Sequence, residues 1–159
     1  MSASVPNEAF QTDKQHYFDL YKLCVEMADR ISQRRAQANS FFVIAETLLV
    51  GVFALGVKTS DPKTLPIAFI AWSVGLFGCL LSTVWLITIH SYRQLNSGKF
   101  KIILEMEKKL PFDPYSQEWI VLGKGADSKK YRQLTNVEKL VPLLFFAPFI
   151  LIFISGFFC

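Results

Sequence analysis

The sequence predicts an all-α integral membrane protein with three transmembrane helices, the first two extended into a cytoplasmic helical stalk. Three observations predict it. Apolar runs cover Ser40 to Val57, Pro66 to His90 and Leu140 to Cys159; at about 1.5 Å rise per residue a bilayer span takes roughly 20 residues, so each run approaches or exceeds that length. The composition, 52% hydrophobic with fifteen Phe in 159 residues, is too apolar for an ordinary soluble domain. Helical periodicity also continues past the apolar runs on one face of the chain.

In order along the chain, residues 1–39 form a cytoplasmic amphipathic helix, 40–57 the first span, 58–65 an outer turn, 66–90 the second span, 91–139 a cytoplasmic helical region and 140–159 the third span. Tyr17, Leu20, Tyr21, Cys24, Met27, Ala28 and Ile31 recur at helical spacing, with Lys22, Glu26, Asp29, Arg30 and Gln33 on the other face. No Pro or Gly interrupts the chain between Asp13 and Val50, so this helix is expected to run unbroken into the first span. A tight outer turn at Asp61 and Pro62 then reverses the chain.

Beyond the second span, Tyr92, Leu95, Ile102, Ile103, Met106 and Leu110 continue a stripe that Pro111 and Pro114 should stop, with Gly98 as its weak point. The two stripes predict an antiparallel packed stalk; the alternative is a helix lying on the membrane surface. Asp113 followed by Pro114 fits an N-cap with Pro at the first helical position, and Gly123 should end that short helix. Thr135 and Glu138 fit a capping box before the third span, which Pro142 and Pro148 should bend.

The first apolar run begins only at residue 40, after a long charged segment, which is not the layout of a cleavable signal peptide, so the first span is expected to remain. Residues 1–39 carry five Lys and Arg and residues 91–139 carry ten, against Lys58 and Lys63 alone in the turn. Positive flanks stay on the cytoplasmic side, which predicts a cytoplasmic N-terminus and large loop and an outer C-terminus. Cys24, Cys79 and Cys159 then fall in three different environments, so no intrachain disulfide or cysteine metal site is expected.

Two features stand out inside the membrane. Ala71, Gly75, Gly78 and Ser82 form a small-residue stripe down one face of the second span. Such a stripe lets another backbone come close, either in a neighbouring subunit or within the chain against the first span. Glu46 lies in the inner half of the first span and should face a partner or water, with Ser82, Thr83 and Thr88 at similar depth. Either these groups satisfy it, or copies of Glu46, with Ser82 and Thr83, line a cation-attracting constriction in a ring.

Lys124, Lys129, Lys130 and Arg132, interleaved with Tyr131, are what topology requires and also a candidate contact for anionic lipid. With a net charge of only +4 and these bases beside the membrane, nucleic acid is not an expected partner. His16 and His90 are too separated for a metal site, and Gly123, Lys124 and Gly125 lack the spacing of a phosphate loop. No cofactor is expected, and an enzyme, with lipid head-group chemistry the nearest type, is not the leading reading.

The stretches YKLCVEMADRISQRRAQANSFF from Tyr21 to Phe42, SYRQLNSGKFKIILEMEKKLP from Ser91 to Pro111 and EWIVLGKG from Glu118 to Gly125, with Tyr131, Arg132, Thr135, Val137 and Glu138, resemble the RipA family of octameric membrane proteins. The resemblance implies a bacterial cytoplasmic-membrane protein that assembles into a homo-octamer, and it implies no reaction. Glu46 stands where the resemblance implies a neutral polar residue. The function that follows is a non-enzymatic ring acting as a channel, pore or membrane-organising scaffold. The competing function is a membrane-tethered adaptor or sensor whose cytoplasmic helices bind a protein or small ligand.

Overall fold

The amphipathic stripe beginning at Tyr17 and the apolar run beginning at Ser40 belong to one helix, α1 (Val5–Thr59), as the absence of Pro and Gly between Asp13 and Val50 requires. The computed structural model describes residues 5–59, 66–125 and 137–158. The outer turn at Asp61 and Pro62, Thr135 and Cys159 lie outside them. Among the described residues the α-helices that follow are α2 (Ile67–Glu107), α3 (Pro114–Val121) and α4 (Leu140–Ser155). No strand occurs among the described residues.

Helix α2 begins where the Pro66 carbonyl accepts the Phe69 and Ile70 N–H groups, at 3.0 and 3.4 Å. It runs intact through Gly98 and ends at Glu107, four residues before Pro111. That distance has a cause: Pro111 has no N–H for the Glu107 carbonyl four residues earlier and its ring would clash with it, so the helix ends there and the Glu107 carbonyl accepts from the Leu110 N–H at 2.9 Å instead. Pro114 opens α3, and Gly123, with φ 69°, terminates it in the left-handed conformation that closes many helices. Lys124 also has positive φ, 53°, so Gly123 and Lys124 make a left-handed turn rather than a continuation of the helix.

The described residues divide into two compact units. One contains α1 up to Gln33, α2 from Gln94 onward, and α3. The other contains α1 and α2 between Arg34 and Arg93, and α4.

In the first unit α1 and α2 are antiparallel, Tyr17 lying opposite Met106 and Met27 opposite Lys99. Tyr21, Ala28 and Ile103 form its core, with Cys24, Val25, Met106, Leu110 and Tyr115 packed against them. Leu20, Met27, Leu95 and Ile102, expected within the buried stripes, are exposed. The stripes are wider than the facing helix covers, so only their centres are buried.

In the second unit α1 and α2 are again antiparallel, and α4 runs antiparallel to α2. Phe42, Trp85 and Ile89 make one core cluster, with the Phe42 and Trp85 rings stacked at 5.5 Å. Ile70, Val74 and Phe149 make a second, and Phe145 packs against both. Helices α1 and α2 are long and apolar enough to cross a membrane, while α4, 16 residues, is shorter. Pro142 lies in the first turn of α4, where no helical N–H is needed, and the helix continues through Pro148.

The small-residue stripe is occupied within the chain. A Cβ on Gly75 would lie 2.6 Å from the Phe153 backbone nitrogen, and one on Gly78 would lie 2.2 Å from the Phe149 ring. Ala71 is buried too, and near the far end of the same crossing Gly156, the residue after α4, sits against Trp72 and the Ala68 carbonyl. Within the chain, Ala71, Gly75 and Gly78 are thus packed against its own last helix rather than against the first span, and Ser82 is buried against α1. The partner helix is α4, which covalent tethering keeps at high effective concentration.

Candidate functional site

Glu46 and Ser82 face each other across α1 and α2 because antiparallel packing brings the same depth of the two helices together. The Ser82 hydroxyl donates to Glu46 Oε1 at 2.7 Å, and both residues are 0% exposed. Glu46 Oε2 accepts no hydrogen bond. Thr83 and Thr88, at comparable depth, are rotated away: their hydroxyls donate to the Cys79 and Val84 carbonyls at 2.7 and 2.8 Å. Glu46 and Ser82 therefore meet as an internal polar contact within the chain, while Thr83 faces its own helix.

A second polar chain joins α1, α2 and the approach to α4. Trp85 Nε1 donates to Asn39 Oδ1 at 2.9 Å, and Asn39 Nδ2 donates to Glu138 Oε1 at 3.3 Å. Arg35 donates to Glu138 Oε2, an ion pair whose side chains are largely buried. Glu138 is thereby engaged by α1. The sequence signals were faint: Arg35 and Glu138 are charges directly flanking apolar runs, and Asn39 immediately precedes one.

The first unit has its own hub, Glu107, which is 1% exposed. Its Oε1 accepts from the Tyr21 hydroxyl at 2.9 Å and from the Tyr115 N–H at 3.0 Å, and its Oε2 accepts from the Ser116 N–H at 3.2 Å. Glu107 thus serves α3 as an N-terminal cap from outside the helix, satisfying orphan N–H groups and placing negative charge at the positive end of the dipole. Asp113, read as the cap from sequence, occupies the N-cap position but makes no side-chain cap bond and accepts from Gln117 Nε2 instead. Burial, then the Glu107 carboxylate, holds the Tyr21 hydroxyl well above the ordinary tyrosine range. Tyr115 is raised as well, by burial first and then by Glu118, Glu107 and Asp29.

Cys24 and Cys79 are free thiols, one in each unit. Lys124 is exposed; Lys129, Lys130 and Arg132, the rest of the basic set, lie outside the described residues.

No curated protein and no solved structure matches the chain. A family model does, over residues 18–158. The matched span takes in the first stripe beyond Tyr17, the whole second stripe, the three apolar runs as far as residue 158, and the Glu46, Glu107 and Glu138 contacts. The chain belongs to the octameric membrane protein family (8xMP).

Proposed function

We propose that this protein is a non-enzymatic, homo-octameric scaffold of a bacterial cytoplasmic membrane, with three spans, a cytoplasmic N-terminus and an outer C-terminus. Family membership supports the octamer, and the Lys and Arg distribution supports the orientation. The antiparallel track of α4 along α2, from Phe145 beside Trp85 to Phe157 beside Trp72, supports a third span.

One observation favours a scaffold over a channel. In the apolar segments the exposed hydroxyls of Thr47, Ser73, Thr83 and Thr88 each donate to a carbonyl four residues earlier, at 2.7 to 2.8 Å. Bonded in this way they are compatible with lipid or with an apolar neighbour and offer no hydration path. Around them the exposed face of α1 is Phe41, Ile44, Leu48, Val52 and Leu55. The buried carboxylates are engaged in holding helices together, which supports the non-enzymatic reading.

Native mass spectrometry of protein released from lipid nanodiscs tests assembly: a single eightfold species is expected, and a monomer or dimer would overturn it. Ion flux through proteoliposomes tests the scaffold reading, with no flux above protein-free vesicles expected. Reproducible single-channel currents from the purified octamer would overturn it in favour of a channel.

A further inference from the structure

The first unit has two different apolar patches on opposite sides of its helix pair. Around α2, at about 100° per residue, Phe100 and Glu107 fall on one side of Ile103, and Leu95, Ile102 and Met106 fall on the other. Helix α3 takes the first side: the Tyr115 ring packs edge-on against Phe100 at 5.6 Å, and Glu107 holds its N-terminus. The second side is continuous with Leu20 and Met27 of α1, since Met27 meets Lys99 and Tyr17 meets Met106 there. Nothing among the described residues covers it, and Ile102 remains 53% exposed. A shallow groove lined by Tyr17, Ile102 and Met106 runs along it, rimmed by Lys101, Glu105 and Lys109.

The other patch is on α3 itself. Ile120 and Val121 lie more than a quarter turn from the inward-facing Tyr115, at about 100° per residue, and Val121 is 74% exposed. Helix α3 and its N-cap carry Asp113 and Glu118 and no basic residue, with Lys124 following beyond the Gly123 turn, whereas the open face is bordered by Lys99, Lys101 and Lys109. Glu105 on that border is already paired with Lys108. Both apolarity and charge are therefore complementary between the patches.

The geometry points to a head-to-tail contact between copies, in which α3 of one copy seats Ile120 and Val121 on the Leu20, Met27, Leu95 and Ile102 face of the next. This inference rests on the homo-oligomeric reading above and names the surface that builds it. Two unlike patches on one unit make a heterologous contact, and such a contact closes into a ring when its rotation permits; a self-complementary patch would stop at a pair. Each copy offers one patch and receives the other, so a closed ring leaves neither exposed. The basic border also fixes the direction of docking, since like charges would meet if two α1/α2 faces were apposed.

The test uses the full-length chain with its cysteines replaced (Cys24→Ala, Cys79→Ala, Cys159→Ser). Ile102→Cys and Val121→Cys are placed on separately tagged copies, co-expressed and treated in membranes with a short bis-maleimide. The expected result is a cross-link joining the two tags, absent when either cysteine is omitted, from protein that native mass spectrometry shows to be octameric. An octamer without that cross-link, or with cross-links only between identical cysteines, would overturn the head-to-tail contact and leave the oligomer standing. A monomer for both this protein and the unmodified chain would remove the oligomer and the contact together. Ile102→Glu is the second variant: loss of the octamer with helical circular dichroism retained is expected, and an unchanged octamer would count against the face.

Discussion

Adding one methyl group at Gly78 should separate α2 from α4, and the structure sets the size of the effect. The new Cβ would lie 2.2 Å from Cδ1 and Cγ of Phe149, where ordinary contact begins at 3.4 Å, so the ring must retreat by more than 1 Å. Phe149 is fully buried among Ile70 and Val74, with Phe145 and Ile152 around it, and has no free direction in which to move. Overpacking of this kind costs about 1–3 kcal/mol, and replacing helical Gly by Ala returns up to about 1 kcal/mol. Gly78→Ala should therefore destabilise by about 1 kcal/mol net. Gly75→Ala should cost at least as much, because its methyl meets the Phe153 backbone at 2.6 Å and α4 must shift as a body. Gly51 and Gly98 are the controls: a Cβ at either meets nothing within 4 Å. Gly98→Ala should stabilise by about 0.5–1 kcal/mol through helix propensity alone. Unfolding followed by circular dichroism in mixed micelles of rising SDS fraction measures all four. Gly78→Ala as stable as Gly98→Ala would refute the close crossing of α2 and α4.

Glu107→Gln keeps the shape of the hub but loses its charge and turns one amide edge, a donor, toward the Tyr115 and Ser116 N–H groups. A loss of about 2 kcal/mol is expected; an unchanged unfolding midpoint would show that α3 is not held by this carboxylate. The same variant should lower the Tyr21 pKa partway, because burial remains while the Glu107 contribution goes. In the native protein the raised Tyr21 pKa contributes stability that is complete below about pH 10, the unfolded value, and is lost as pH rises toward the folded value. Ultraviolet titration at 295 nm should show two late-titrating tyrosines, Tyr21 and Tyr115, with the Tyr21 component, identified by its loss in Tyr21→Phe, moving earlier in Glu107→Gln; no movement would contradict the hydrogen bond. Glu46→Gln keeps an acceptor for Ser82 and removes the cost of burying a charge, so assembly and thermal stability should be retained or improved; a loss above about 2 kcal/mol would mean that the ionised carboxylate is needed. Arg35→Ala leaves Glu138 buried without its cation and should cost about 3 kcal/mol, with Arg35→Met plus Glu138→Leu recovering most of it. A double variant no better than Arg35→Ala would refute a pairwise role.

The unbroken course of α1 was legible in the residues alone, because helix propensity without Pro or Gly from Asp13 to Val50 is a local term; for α2 the residues carried the stripe to Leu110, and the structure ends the helix earlier, at Glu107, where Pro111 reaches back. The membrane character was legible for the same reason, since apolar length is a property of the chain and not of its fold. The Glu46–Ser82 contact was partly legible. Depth along antiparallel helices nominated Ser82, Thr83 and Thr88 equally, and only the rotation of α2 chose Ser82 and turned the two threonines back on their own helix. Glu107, Arg35 and Glu138 were not legible as sites, because a single charge at the edge of an apolar stripe looks like a solvated one until a second helix covers it. The small-residue stripe on α2 shows the limit most directly. Spacing determines that Gly75 and Gly78 form a face that a helix can approach closely. Which helix takes it depends on three-dimensional competition between tethered and separate partners, and tertiary packing gave it to Phe149 and Phe153 of the same chain.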